Sequence, residues 1–406
     1  MYEPTSATYK ASRHIQSTTA NIETSKRLAH IYLRSVSRSP SRSKSPVPHP
    51  MTATDNRDKI VLVTGISGYI ASQLGLQLLQ KGYTVRGTSR SSVAKDHLLA
   101  GAFKGYDSQY EHAEVKDMTA KGAFDEAVKG VHAIIHTASP VDFSLKTVDE
   151  FFGPAVGGNV SILESAKTFA GPQLKSLVVT SSVAAIVDKW KQPADHEYTE
   201  ADWNTSGEAV ARETFSAPVA YGASKAAAER ALWEWVGANH PSFAVAAINP
   251  SVVTGPPVSW PASPEKLNET LMPIWRIWSG DKTMPSQIGG AGYIDVRDVA
   301  RMHIWAMEHP EKSDGQRYLV SNGKAPPQAA ADLLREHFPE RDIIVGTPGQ
   351  GYTQDYWYVQ GENSLVSSKA YKALGVDRFI PYDKSILDTV EAFEKQWPGY
   401  AKSLTN

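Results

Sequence analysis

The stretch Lys59-Ile60-Val61-Leu62-Val63-Thr64-Gly65-Ile66-Ser67-Gly68-Tyr69-Ile70-Ala71 decides how the chain folds. Ile60 to Val63 is an unbroken apolar, mostly β-branched run, which suits a strand buried on both faces of a parallel sheet. Gly65 and Gly68 follow at once, and apolar residues then recur at Ile70, Leu74, Leu78 and Leu79, the spacing of an amphipathic helix. Strand, glycine turn and helix make a first βα unit. Its helix N-terminus offers free N–H groups and the positive end of a dipole, a combination suited to a pyrophosphate. Gly65 would make the tight turn and Gly68 would let the backbone approach phosphate. The spacing is Gly-x-x-Gly-x-x-Ala, with Ala71 where a third glycine often stands; alanine is still small enough for close helix–sheet packing. Taken alone, the turn also fits other α/β domains.

Upstream, residues 1–56 are rich in Ser, Thr and Arg, poor in large apolar side chains, and end in a run of Ser-Pro and Val-Pro pairs. Such a segment buries too little surface to offset its ordering entropy and reads as a disordered extension. Its Arg and Ser content also fits an organellar transit peptide, but it lacks a long apolar face. Met51 stands just before the apolar pattern begins, so the fold is expected not to need the extension.

The whole chain of 406 residues is long enough for two lobes, and its net charge of −1 gives no basis for binding nucleic acid. It has no cysteine, which excludes disulfides, thiol nucleophiles and cysteine–metal sites and fits a reducing compartment. No apolar run approaches the length of a membrane span. A cytoplasmic location is expected, with no metal site and no membrane partner. Monomer and homodimer both stay open.

Downstream, Tyr83 to Thr88 reads as a second strand. Folds that take NAD carry an acid at the end of this strand for the ribose 2′-hydroxyl. Here the end is Thr88-Ser89-Arg90, and the Arg90 fork would suit a 2′-phosphate. Lys95, a turn further on, is either a second contact or a solvated loop cation. Residues 111–115 make a third strand, Phe124, Ala127 and Val128 a short helix, and 131–136 a fourth strand running into Thr137-Ala138-Ser139. His136 continues that strand and reads as a buried structural histidine. A fifth strand from Leu174 delivers Ser181 and Ser182 at its end. Tyr221 and Lys225 are four apart at the start of a helix and so share one face. A sixth strand, 243–248, ends at Asn249-Pro250.

After Pro250 the periodicity weakens, and prolines at 256, 257, 261 and 264 break the segment. The expected plan is an α/β, Rossmann-type doubly wound parallel sheet in residues 57–250, to which 293–308 return. Residues 251–292 and 309–406 would form mainly a smaller substrate lobe. Trp275 and Trp278 read as lobe core, and Asp295 and Asp298 as acids complementing a helix start.

Glycine turn, serine pair and Tyr-x-x-x-Lys, in this order, resemble the extended short-chain dehydrogenase/reductase superfamily. The resemblance covers residues 59–395 and is closest to its dihydroflavonol reductase-like branch, which includes cinnamoyl-CoA reductases and yeast-type aldehyde, ketone and methylglyoxal reductases. Lys116-Asp117-Met118 and Ile248-Asn249-Pro250-Ser251-Val252-Val253-Thr254-Gly255-Pro256 carry it too. It implies Tyr221 as proton donor, Lys225 as the cation that tunes it and holds the nicotinamide ribose, and Ser182 as the donor to the substrate oxygen, with Ser181 nearby. It also implies NADPH held by Gly65, Ser67, Gly68, Tyr69, Ile70 and Arg90. Asp117 and Met118 would meet the adenine, Thr137, Ala138 and Ser139 would line the cofactor, and Pro250 and Val253 would flank the nicotinamide. The function expected is reduction of a small aldehyde or ketone. A nucleotide-sugar epimerase or dehydratase would share this scaffold and catalytic pair. A cofactor-sensing regulator without turnover is the reading from another class, and retention of Ser182, Tyr221 and Lys225 argues against it.

Overall fold

In the computed structural model, residues 56–139 and 143–399 are described. The extension read as disordered lies, apart from Asn56, outside the described residues. The central sheet is built from β1 (Ile60–Thr64), β2 (Thr84–Ser89), β3 (Tyr110–Glu114), β4 (Ala133–His136), β5 (Ser176–Thr180), β6 (Ala244–Pro250) and β7 (Gln316–Val320). All neighbours pair in parallel, in the order β7-β6-β5-β4-β1-β2-β3. The principal helices are α1 (Tyr69–Gln80), α2 (Val148–Phe169), α3 (Ala217–Asn239), α4 (Met272–Trp278), α5 (Val296–Glu308), α6 (Pro327–His337) and α7 (Tyr382–Gln396).

The apolar run of β1 has partners on both sides. Val61 and Val63 join a core with Leu74 and Leu78 of α1 and Val299 and Met302 of α5. Leu62 points the other way, into a core with Ile162 and Leu163 of α2 and Leu232 and Trp235 of α3. A strand buried on both faces needs no polar alternation, which is why its sequence shows none. Strand order reverses between β1 and β4, and at such a switch point the carboxyl ends of the strands leave a crevice.

The second lobe has its own core. Ile274, Trp275, Ile277 and Trp278 of α4 pack with Leu333 and Leu334 of α6 and Ile386, Val390 and Phe393 of α7. Trp275 meets the edges of Phe393 and Trp397 with ring centres 5.3 Å apart in each case. Asp295 caps α5 by accepting the Arg297 N–H at 2.8 Å, and Asp298 accepts from Arg301 and from the Ile380 N–H.

The fold departs from the sequence reading at three places. Phe124, Ala127 and Val128 lie in a series of turns, not a short helix, although all are buried against Leu62. Gly122 and Gly130 bracket them with φ of +75° and +74°, leaving too short a segment for a helix. The sheet also takes β7 from the region assigned mainly to the second lobe; the apolar run Tyr318-Leu319-Val320 is too short to announce a strand. Finally, α3 begins at Ala217, so Tyr221 lies a turn inside it. Pro218 sits in its first turn, where the missing N–H has no helical partner to lose.

Candidate active site

The crevice at the switch point is a cleft of about 960 Å³. Every residue read from the sequence as a site residue lines it except Lys95. At its floor, Gly65 turns the chain out of β1 with φ +67°, where a Cβ would press to 3.2 Å from the Ala138 Cα. The Gly68 N–H donates to the Gly65 carbonyl at 2.8 Å, and α1 starts at Tyr69 with no side-chain cap and no acid in its first turn. The first N–H groups of α1 therefore have no partner within the helix and stand free for an anion. Ile66, between the glycines, is fully buried, and its N–H donates to the Thr88 carbonyl at 2.9 Å. Its side chain fills the space over Gly87, where a Cβ would come within 2.7 Å of it. Tyr69 lines the cleft, and its hydroxyl donates to the Gly255 carbonyl at 2.6 Å, tying the glycine turn to the start of the second lobe.

At one end of the cleft stand Arg90, exposed at the end of β2, and Asp117 and Met118 beyond β3. Asp117 accepts both the Thr119 hydroxyl and the Thr119 N–H, which hold its carboxyl below the usual range. Lys95 is exposed on the helix Val93–Ala100, beside His112, whose pKa is lowered by burial first and by the Lys95 charge second.

Thr64 organises the loop after β4. Its hydroxyl oxygen accepts the N–H groups of Thr137 at 3.1 Å and Ala138 at 3.0 Å. With its lone pairs so engaged, the hydroxyl proton goes to His136 Nδ1, 2.9 Å away, which places the imidazole proton on Nε2. His136 is buried, and burial, then the nearby Lys225 charge, pushes its pKa down to about 3. It is a neutral structural histidine.

At the other end, Ser182, Tyr221 and Lys225 converge. Ser182 has extended backbone (φ −163°, ψ 154°) and accepts the Ala184 N–H at 3.1 Å, which orients its hydroxyl beside the Tyr221 phenol. Burial raises the phenol pKa, and the Ser182 hydroxyl opposes that rise. Lys225 is buried, its Nζ 5.8 Å from the Tyr221 ring centre and 2.8 Å from Ser139 Oγ, to which it donates. Burial pulls its pKa down to about 8, against the opposing influence of Glu229. The Ser181 hydroxyl donates to Glu229, so the side chains of the serine pair divide, with Ser182 toward Tyr221 and Ser181 toward the interior.

The model of the NAD dependent epimerase/dehydratase family matches residues 61–321. The chain belongs to this family. The NADPH-dependent methylglyoxal reductase GRE2 of Saccharomyces cerevisiae is 34% identical over 349 residues, 82% of this chain and 98% of that one. The cinnamoyl-CoA reductase CAD2 of Medicago truncatula is 31% identical over 350 residues, 85% of this chain and 98% of its own. The crystal structure of yeast methylglyoxal/isovaleraldehyde reductase Gre2 complexed with NADPH superposes with a TM-score of 0.73 at 31% identity, covering 83% of this chain and 98% of the other. The chain thus lies in the extended, dihydroflavonol reductase-like branch of the short-chain dehydrogenases/reductases.

One group of residues in this epimerase/dehydratase-family cleft, and one buried behind it, escaped sequence reasoning. Lys266, Leu267, Asn268, Glu269 and Thr270 line it from the second lobe. Asn268 Oδ1 accepts the N–H groups of Thr270 and Leu271, forming the turn that leads into α4. An Asn three residues before the apolar run that opens at Leu271 is a local signal that could have found this turn. The other group is Glu229 with its partners; it lies four residues beyond Lys225 but has no signature of its own.

Proposed function

We propose that the chain is an NADPH-dependent carbonyl reductase that takes an aldehyde or ketone to the alcohol. The observation that carries this reading is the convergence of Ser182 and Lys225 on Tyr221 at the edge of a cleft whose floor is a glycine turn. The glycine cradle, the uncapped α1 and Arg90 fit a dinucleotide with a 2′-phosphate. No acid follows β2 to repel that phosphate, and the NADPH-bound relative shares the fold. Lys225 and Ser139 would hold the nicotinamide ribose, with Pro250 and Val253 at the ring. When bound, NADPH supplies a hydride to the carbonyl carbon.

The protein's part is the proton and the charge. Tyr221 donates its phenolic proton to the carbonyl oxygen as negative charge develops there. The Lys225 ammonium favours the phenolate left behind. Ser182 donates a hydrogen bond to the same oxygen, which makes it the oxyanion partner. Following NADPH oxidation with methylglyoxal, isovaleraldehyde and diketones, and UDP-glucose in parallel, tests the reading. The expected result is carbonyl-dependent oxidation of NADPH, lost by two to four orders of magnitude in Tyr221→Phe with NADPH binding retained. Conversion of UDP-glucose without any carbonyl reduction would overturn it.

A further inference from the structure

Behind the cleft, on the face of α3 that carries Tyr221 and Lys225, Glu229 is buried with 1% of its surface exposed. Its carboxylate joins strand ends from across the sheet. Oε2 accepts Ser181 Oγ at 2.5 Å and Asn249 Nδ2 at 2.7 Å, and Oε1 accepts Arg317 Nε of β7 at 2.6 Å. The same Asn249 amide donates to the Ser182 carbonyl at 3.1 Å. Ser182 is thus held on two sides by groups that converge on one carboxylate: the side chain of the residue before it, and the amide bound to its own carbonyl. Arg317 has further partners, donating to the carbonyls of Glu200 and Asp202 and lying 3.8 Å from the Trp203 ring centre.

We propose that Glu229 is a positioning residue for the reduction, its carboxylate fixing the place of Ser182 and giving Lys225 a buried counter-charge. This rests on the roles assigned above to Ser182, Tyr221 and Lys225. The charged or titratable groups that face Lys225 are Tyr221 and Glu229 on its own helix and neutral His136 on β4; those that face Glu229 are Lys225 and Arg317. Buried carboxylates bonded on both oxygens fix geometry more than they add stability. Removal of this one therefore acts on the position of Ser182 and on the charge of Lys225 together.

Two substitutions separate these effects. Glu229→Gln removes the charge, so Lys225 loses its proton at lower pH and the alkaline limb of kcat/KM moves down by about one pH unit. Glu229→Asp keeps the charge but shortens the reach, so kcat falls by about tenfold or more while the limb stays in place. NADPH binding, followed by fluorescence, stays within about twofold in both. Should Glu229→Gln not fold, Ser181→Ala deletes one oxygen of the network and is expected to lower kcat about tenfold at unchanged NADPH affinity. Methylglyoxal with NADPH is the probe, and Tyr221→Phe is assayed beside these variants. An inactive Tyr221→Phe with wild-type kcat and pH profile in folded Glu229→Gln, or wild-type kcat in Ser181→Ala, overturns the positioning role alone. Undiminished activity in Tyr221→Phe overturns the reading on which it rests.

Discussion

Lys225 reaches from α3 to Ser139 in the loop after β4, a 2.8 Å hydrogen bond across the cleft made by the same ammonium that faces the Tyr221 ring. Burial makes the charge on this lysine costly to the fold. Its pKa in the folded protein, about 8, lies below the unfolded value, so the folded state releases its proton more readily. Below about pH 8 the ammonium is present and its burial costs stability; the cost fades as pH rises from there to the unfolded pKa near 10.4. At pH 7, Lys225→Met is expected to lose reduction of methylglyoxal and to gain a few degrees in Tm. The gain should shrink between pH 8 and 10. A lower Tm at pH 7 would show that the bond to Ser139 outweighs the desolvation of the charge.

Cofactor choice can be tested at Arg90, which lines the cleft at the end of β2. Arg90→Ala is expected to reduce the ratio of kcat/KM for NADPH over NADH by about tenfold to a hundredfold, the loss of one charge-assisted contact to phosphate. Steady-state kinetics with both cofactors measure it. An unchanged ratio would move the 2′-phosphate elsewhere, and Lys95 would be the first residue to examine.

Two buried imidazoles make the fold sensitive to acid. His303 Nδ1 donates to the Val299 carbonyl and its Nε2 accepts the Thr180 hydroxyl, which fixes the neutral ring; burial lowers its pKa to about 4. His136 is lowered further, to about 3. The unfolded chain takes up protons near pH 6.5 and the folded chain does not. Stability is therefore full above that pH and falls below it by about 1.4 kcal/mol per pH unit for each ring. Guanidinium unfolding at pH 7 and pH 5 should show the fall, and His303→Gln should remove about 2 kcal/mol of the difference. An equal fall in the variant would exclude His303 as a source.

Gly87 is the hidden support of the glycine turn. Gly87→Ala would push a methyl group into Ile66 and is expected to cost about 1–3 kcal/mol. It would also weaken NADPH binding, because Ile66 is held between the two turn glycines. Calorimetry and cofactor titration measure the two effects. Full stability with full affinity would mean that Ile66 can repack without moving Gly65 or Gly68.

What the sequence made legible was whatever depends on local order. The run Ile60–Val63, the two glycines after it and the four-residue spacing of Tyr221 and Lys225 each encode geometry within one or two turns of chain, and the cleft assembles around them. What it hid depends on partners far along the chain. Gly87 looks like any strand glycine until Ile66 lies over it, and Glu229 looks like a surface helix acid until Arg317 arrives from β7. β7 itself was missed because three apolar residues define a strand only beside an open neighbour. Lys95 shows the converse: sequence proximity to Arg90 did not bring it to the cleft.

The late arrival of β7 has a consequence for biosynthesis. β6 emerges from the ribosome with its outer edge bare, and residues 251–315 must follow before Gln316–Val320 can cover it. During that interval the nascent chain carries an open, apolar strand edge able to pair with another copy. Arg317 sits on the strand that closes this edge, and its bond to Glu229 forms only then. The strand that completes the sheet thus also carries the arginine that pairs with Glu229, so a polypeptide stalled or truncated before residue 316 would keep an adhesive edge and a buried carboxylate without its ion pair.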